Sequence, residues 1–366
     1  MFESKLYTIL MDDPSDVSGL EKLINEGEID PKNIKGIMVM HEGDGFSRAY
    51  TSLAFALLLS EKLSISRDEV KRTVPIQAIA GMAGLMVPHV AVFTRREVDG
   101  KEGKEKRFVV AGACTREILP EEVGTMTYVR EVAKVTRELM KDAQIDDPKD
   151  VHFVFAKGPW PSGKDRREVE KRGKKLMSND RMLEGEYARG SSALGVALGL
   201  GEAQESQIEG KILQNKDEVY SLVAHCSCGG ERNSVAVILM GNTTKSTSDL
   251  IIGHGLMKDV CDAEGVKEVL KSMGFKFDCC PSDKDLERVL YAFVKPKAGE
   301  LPTFRGYRHT LYSDSVLGPH GWNVEKAPAH AVVTSVLNNP LIEVASGPEH
   351  QMPPGYSGVA IIAKAE

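Results

Sequence analysis

The chain has 366 residues, 42% of them hydrophobic and 27% charged, and a formal net charge of −6 at pH 7. That length allows two or three domains with real cores, and the composition is that of an ordinary soluble fold. The acidic balance argues against nucleic acid as the main partner, because a phosphate backbone is met with basic surface.

The N-terminal MFESKLY lacks the basic start and apolar stretch of a secretory signal, and no apolar run reaches the length that spans a bilayer. A cytoplasmic location with no membrane partner is expected. Ser18 and Glu21 have capping-box spacing ahead of a short helix through Leu23 and Ile24. A strand over Ile34–Met40 runs into the turn HEGDGF. Arg48 then enters a helix carrying Leu53, Ala56 and Leu57, ending near Leu63. Ser66 and Glu69 repeat the capping-box spacing, and a strand over Val74–Ile79 meets the glycine-rich AGMAG. The charged EVDGKEGKEK reads as a first linker.

Pro120 sits where a first helical turn starts, and that helix is expected to run through Tyr128, Val132 and Leu139. Lys157–Lys175 reads as irregular, an ordinary surface loop or a flap over a pocket. NTTKSTSD marks a second boundary. Beyond it, a section beginning near Ile251 has a predicted helix at Asp285–Leu290 and a long connection, FRGYRHTLYSDS. Strands alternate with helices throughout, so the fold class is α/β or α+β. The cysteines at 114, 226, 228, 261, 279 and 280 are expected as reduced thiols, since C-x-C and C-C spacings match no zinc knuckle.

A threefold echo underlies this order. IKGIMVMHEG, SRAYTSLAFALLL and VPIQAIAGMAG form one strand–helix–strand set. VHFVFAKGPW, ARGSSALGVALGLGE and YSLVAHCSCGG form a second; VLYAFVKPKAG, PAHAVVTSVLNN and LIEVASGPEHQ form a third. Each set closes with a further apolar strand: HVAVF, SVAVILMGN or GVAIIAKA. The period points to duplicated units, 1–104, 105–246 and 247–366, rather than a solenoid. Units packed like a closed trimer place equivalent residues around one axis, giving a central barrel-like core with helices outside. The first strand ends at Met40, Lys157 or Lys295, and the glycine step holds Ile79, Ser227, or one of Ala345 and Ser346. Only the middle unit keeps a clear lysine–serine pair. A lysine after a strand is otherwise an ordinary solvated end residue.

The segments FSRAYTSLAFALLLSEKL, VHFVFAKGPW, ARGSSALGVALGLGE, YSLVAHCSCGGE, IGHGLMKD, FRGYRHTLYSDS and SGPEHQMPPGYSGVA resemble the ring-opening amidohydrolases, the cyanuric acid hydrolase and barbiturase family. The resemblance covers nearly the whole chain. It implies three repeats around a pseudo-threefold axis, a cyclic ureide or imide substrate, no cofactor for the chemistry and a homotetramer. By resemblance, Lys157 and Ser227 are the catalytic pair. Arg48, Arg189, Lys295, Ser346, Gly347, Cys228 and Gly81 would bind substrate. Glu300, Gln351, Pro353 and Gly355 would hold a structural Mg²⁺ or Ca²⁺. The chain departs from the family pattern at Met40, Ile79, Ala327, His330 and Lys297.

These residue types suit acyl transfer. A serine hydroxyl needs a base, and a lysine serves when burial and nearby positive charge lower its pKa. Arginine forks suit ring carbonyls. Cys228 is a minority alternative nucleophile. A binding protein that has lost activity is the competing class.

Overall fold

The structure is a computed structural model that describes residues 1–43, 45–80, 85–297, 303–308, 325–345 and 347–366. Apolar residues on both faces of most central strands dictate a layered fold, because each face must be covered. The first sheet holds β1 (Phe2–Leu10), β2 (Ile34–His41), β3 (Ile76–Ala80) and β4 (His89–Glu97) in the order β1-β4-β2-β3. The second holds β5 (Arg107–Glu117), β6 (Val151–Pro159), β7 (Ala224–Gly229) and β8 (Ser234–Thr243) in the order β5-β8-β6-β7. The third comprises β9 (Leu250–Met257), β10 (Val289–Lys295), β13 (Glu343–Val344) and β14 (Ser357–Lys364) in the order β9-β14-β10-β13. Between them in sequence, β11 (Thr303–Phe304) and β12 (Tyr307–Arg308) form a small hairpin.

The three sheets share one pairing scheme. A parallel pair (β2 with β3, β6 with β7, β10 with β13) stands beside an antiparallel third strand. A parallel pair needs a crossover, and helices supply it. Helices α2 (Gly45–Leu63) and α3 (Arg67–Thr73) cross in the first sheet, and α5 (Gly163–Lys171) and α6 (Arg181–Leu200) in the second; α8 (Lys326–Leu337) crosses in the third. Helices α1 (Ser18–Asn25), α4 (Met126–Asp142) and α7 (Ala263–Ser272) complete the outer layer.

Strand alternation splits the core into an inner part and outer parts. Val39, Val154 and Val294 join the clusters beneath the outer helices, which also hold Phe55, Val196 and Val333 respectively. Their neighbours Met38, Phe155 and Phe293 turn the other way and join one cluster drawn from all three sheets. Its centre is tight: the rings of Phe153 and Phe293 stack with centroids 3.9 Å apart. Each such buried side chain contributes about 1.5–3 kcal/mol, so the junction holds the sheets together. Among the described residues the strands pair as separate sheets rather than as one closed barrel. No described helix is long and apolar enough to cross a membrane.

Local departures have identifiable causes. The Ser18–Glu21 box does not form: the N-cap is Val17, and the Ser18 hydroxyl donates to Asp16 (2.6 Å). Ser66 does cap α3, accepting from Glu69 N at 3.1 Å. Pro120 opens only a three-residue 3-10 turn, because Gly124 takes φ +84° and α4 restarts at Met126. The stretch read as irregular contains α5, which a Ser162–Asp165 capping box starts. The helix expected at Asp285–Leu290 is one turn, Asp283–Leu286; the β-rich VLYAFV then begins β10 at Val289.

Candidate active site

The site grows from register. In the parallel pairs, Met40 lies opposite Ile79 and Lys157 opposite Ser227. Val294 lies opposite Val344, and Ala345 N donates to the Val294 carbonyl (3.2 Å), so the next position along sets Lys295 beside Ala345. The third unit thus has alanine at its serine position. Ser346, Gly81 and Glu300 lie outside the described residues.

Two of these strand-end side chains are ammonium groups in the interior, with both lysines at 0% exposure. Each reaches across to the neighbouring sheet. Lys157 Nζ donates to the Ala78 carbonyl (2.6 Å), one residue before Ile79. Lys295 Nζ donates to the Cys226 carbonyl (2.7 Å), one residue before Ser227. Ser227 itself is half-buried, between the buried Cys226 and Cys228.

A buried charge needs a partner. Lys157 forms an ion pair with Glu231, itself almost fully buried. Gly229 makes that approach fit, because a Cβ there would overlap the Glu231 carboxylate. Burial lowers the Lys157 pKa; Glu231 works against this and the Arg48 charge works with it. Burial alone would raise Glu231, but the Lys157 ammonium brings it below the usual carboxylate range. Burial brings Lys295 down to about 8.

Arg189, from α6, is also buried. Its Nε and Nη2 donate to the two carboxylate oxygens of Glu349 (2.8 and 2.6 Å), and Nη1 contacts Cys228 Sγ at 3.6 Å. Gly347 has φ +93°, and a Cβ there would overlap this guanidinium. Two independent reasons thus call for glycine at that position. Arg48, near the start of α2, is half-buried; its buried Nε has no hydrogen-bond partner among the described residues. Its charge is felt at Lys157, Glu231 and Cys228. Burial pushes the Cys228 thiol up, with Arg189 opposing, and a protonated thiol is a weak nucleophile.

Two of the residues expected around a cation, Gln351 and Pro353, make hydrogen bonds within the protein. Gln351 Oε1 accepts from Cys226 N (2.5 Å), and Gln351 Nε2 donates to the Gly347 carbonyl (2.8 Å). The Pro353 carbonyl accepts from Tyr356 N (3.1 Å). The structure therefore links Lys157, Arg48, Arg189, Cys228 and Gly347 through contacts or charge and sets Ser227 opposite Lys157 in strand register, while Gln351 braces the strand that carries Ser227.

Four charged residues escaped the sequence reading. Glu231 and Glu349 each follow a strand-end position by four residues, Ser227 and Ala345, whereas the first unit has Ala83 there. That shared spacing was the available signal. Glu343 interrupts the apolar LIEVA, and both its carboxylate oxygens are buried without a hydrogen-bond partner among the described residues. Burial raises it to about 8. Lys326, at the start of α8, donates to the Ala80 carbonyl at 3.0 Å; no motif announced it.

Comparison with known proteins identifies the family and the fold. The sequence profile of the amidohydrolase ring-opening proteins matches residues 5–364. A cyanuric acid amidohydrolase of Enterobacter cloacae is 36% identical over 373 residues, covering 99% of each chain. A cyclic amide hydrolase of Azorhizobium caulinodans is 37% identical over 364 residues, covering 98% of this chain and 99% of the relative. A solved cyanuric acid hydrolase superposes with a TM-score of 0.90 at 33% identity, covering 100% of both chains. Another, from A. caulinodans, gives 0.88 at 32% identity, covering 100% of this chain and 99% of the other.

Proposed function

This chain belongs to the ring-opening amidohydrolase family, and from that premise we propose that it hydrolyses a ring C–N bond of a small planar cyclic amide. Cyanuric acid heads the candidates, which is the substrate named for similar proteins. Barbiturate and other cyclic imides follow. The observation that carries the reading is the register pair of Lys157 and Ser227, with Glu231 against the amine.

Ser227 Oγ attacks a ring carbonyl and Lys157 Nζ takes its proton. The ring C–N bond breaks, the proton passes from Lys157 to the leaving nitrogen, and an ester joins Ser227 to the opened chain. Water then attacks that ester; Lys157 takes the water proton and returns one to Ser227. Arg48 and Arg189 bind ring carbonyls, and the backbone N–H groups following Ser227 stabilise the oxyanion. Glu231 sets the Lys157 charge and aims the amine. In the resting arrangement Lys157 makes no hydrogen bond to Ser227 among the described residues, so substrate entry draws the amine toward the hydroxyl.

The units 1–104, 105–246 and 247–366 are read as copies around a pseudo-threefold axis, which the shared strand order supports. A cytoplasmic homotetramer completes the proposal. The test is a hydrolysis screen over cyanuric acid, barbiturate and related imides with wild type, Ser227→Ala and Lys157→Ala. Turnover lost in both variants, with the fold intact, is expected. Tight binding without turnover by the wild type would instead indicate a binding protein.

A further inference from the structure

The turn at 347–356 links the third sheet to the candidate site through Glu349 on Arg189 and Gln351 on Cys226. It is an unfavourable turn on its own: Gly347, His350, Met352 and Gly355 have φ of +93°, +57°, +58° and +77°. Two of those are non-glycine residues in a sparsely populated region, which persists only when the surroundings impose it. Three carbonyls of the turn each accept a protein donor. Pro348 O accepts from Gln351 N (3.0 Å), His350 O from Ser221 N (3.0 Å) and Pro353 O from Tyr356 N (3.1 Å).

One positive charge already sits against this turn. Lys297 is 3% exposed, and its Nζ donates to the Met352 carbonyl at 3.4 Å. Its own backbone N donates to Ser357 Oγ (3.0 Å), fixing the start of the side chain at the far end of the turn. A divalent ion beside this ammonium would face like-charge repulsion in a poorly screened interior. With that charge on the Met352 carbonyl and the Gln351 side chain bonded to Cys226 N and Gly347 O, the turn is a poor fit for a divalent metal.

We propose that the Lys297 ammonium takes the structural role of a cation, pinning the 347–356 turn so that the chain needs no Mg²⁺ or Ca²⁺ for stability. The proposal is independent of the substrate. The experiment is thermal unfolding of the full-length protein with and without EDTA, alongside metal analysis of the purified protein. The expected result is an unchanged Tm after chelation, an unchanged Tm in millimolar Mg²⁺ or Ca²⁺, and far less than one metal per chain. Lys297→Met should lower Tm by roughly 5 °C, while Lys297→Arg holds it closer to wild type. Stoichiometric Mg²⁺ or Ca²⁺ in the wild type, a Tm that falls on chelation, or an undiminished Tm in Lys297→Met would each overturn it. Should Lys297→Met not fold, the wild-type chelation and metal measurements decide alone.

Discussion

The first and second sheets hold the same pair of positions in the same register and do opposite things with them. Met40 opposite Ile79 is a piece of apolar core, whereas the second sheet sets a buried lysine opposite a serine, Lys157 and Ser227. The backbone scaffold is therefore indifferent to the chemistry. The difference extends to a third position: Glu231 pairs with Lys157, while the residue equally spaced after Ile79 is Ala83. Lysine, hydroxyl and acid are present together or absent together in these two units. That follows from desolvation, since a buried charge without its partner is costly whereas an apolar replacement of the whole pair is tolerated. The third unit is intermediate, with Lys295 and Glu349 kept and Ala345 in the hydroxyl position.

Making the second unit imitate the first gives the largest expected effect. Lys157→Met should cut kcat by about 10³-fold or more. By stranding Glu231 it should also cost roughly 3–5 kcal/mol in urea unfolding. Adding Glu231→Ala should return much of that stability and none of the activity. A double variant as unstable as the single one would break the comparison.

Arg189→Lys removes the two-pronged contact with Glu349 and should lower kcat/KM about 10–100-fold in steady-state assays. The pH profile sharpens the comparison further. The proposed mechanism requires the neutral Lys157 amine, so kcat/KM should fall as pH drops through its titration. Glu231 raises that pKa, so Glu231→Gln should move the acid limb to lower pH. An upward or absent shift would contradict the assigned pairing.

The smallest effect lies one layer below. Gln77, His225 and Glu343 occupy equivalent register positions, opposite Met38, Phe155 and Phe293. Glu343 titrates near 8 when folded and near 4.5 otherwise. Between those values the unfolded chain has released the proton that the folded chain retains, so stability should fall as pH rises from about 4.5 to 8. Glu343→Gln should flatten that slope in urea titrations at pH 5 and pH 8. An unchanged slope would move the cause elsewhere.

Legibility in the sequence tracked how local the signal was. The strand–helix–strand sets and the positions 40, 79, 157, 227 and 295 were readable because period-2 strands and glycine steps are local patterns. Alternation does not report which strands neighbour one another, so the order with the last strand of each set in the middle came only from the structure. The third serine position needed the β10–β13 pairing to fall on Ala345. Glu231 was missed because its role depends on a glycine that lets it fold back onto another strand. The α5 helix was hidden by its charge, although Ser162 and Asp165 carry a capping signal. Lys326 and Glu343 had no local mark at all, because their importance comes from burial between units.

The most direct test of the account is turnover of cyanuric acid by Ser227→Ala beside the wild type, with intact-mass analysis of samples quenched during reaction. The account predicts a wild-type adduct on the Ser227 peptide, and in the variant no adduct and a kcat reduced about 10³-fold or more. Undiminished turnover by Ser227→Ala, or an adduct mapping to Cys228, would contradict it.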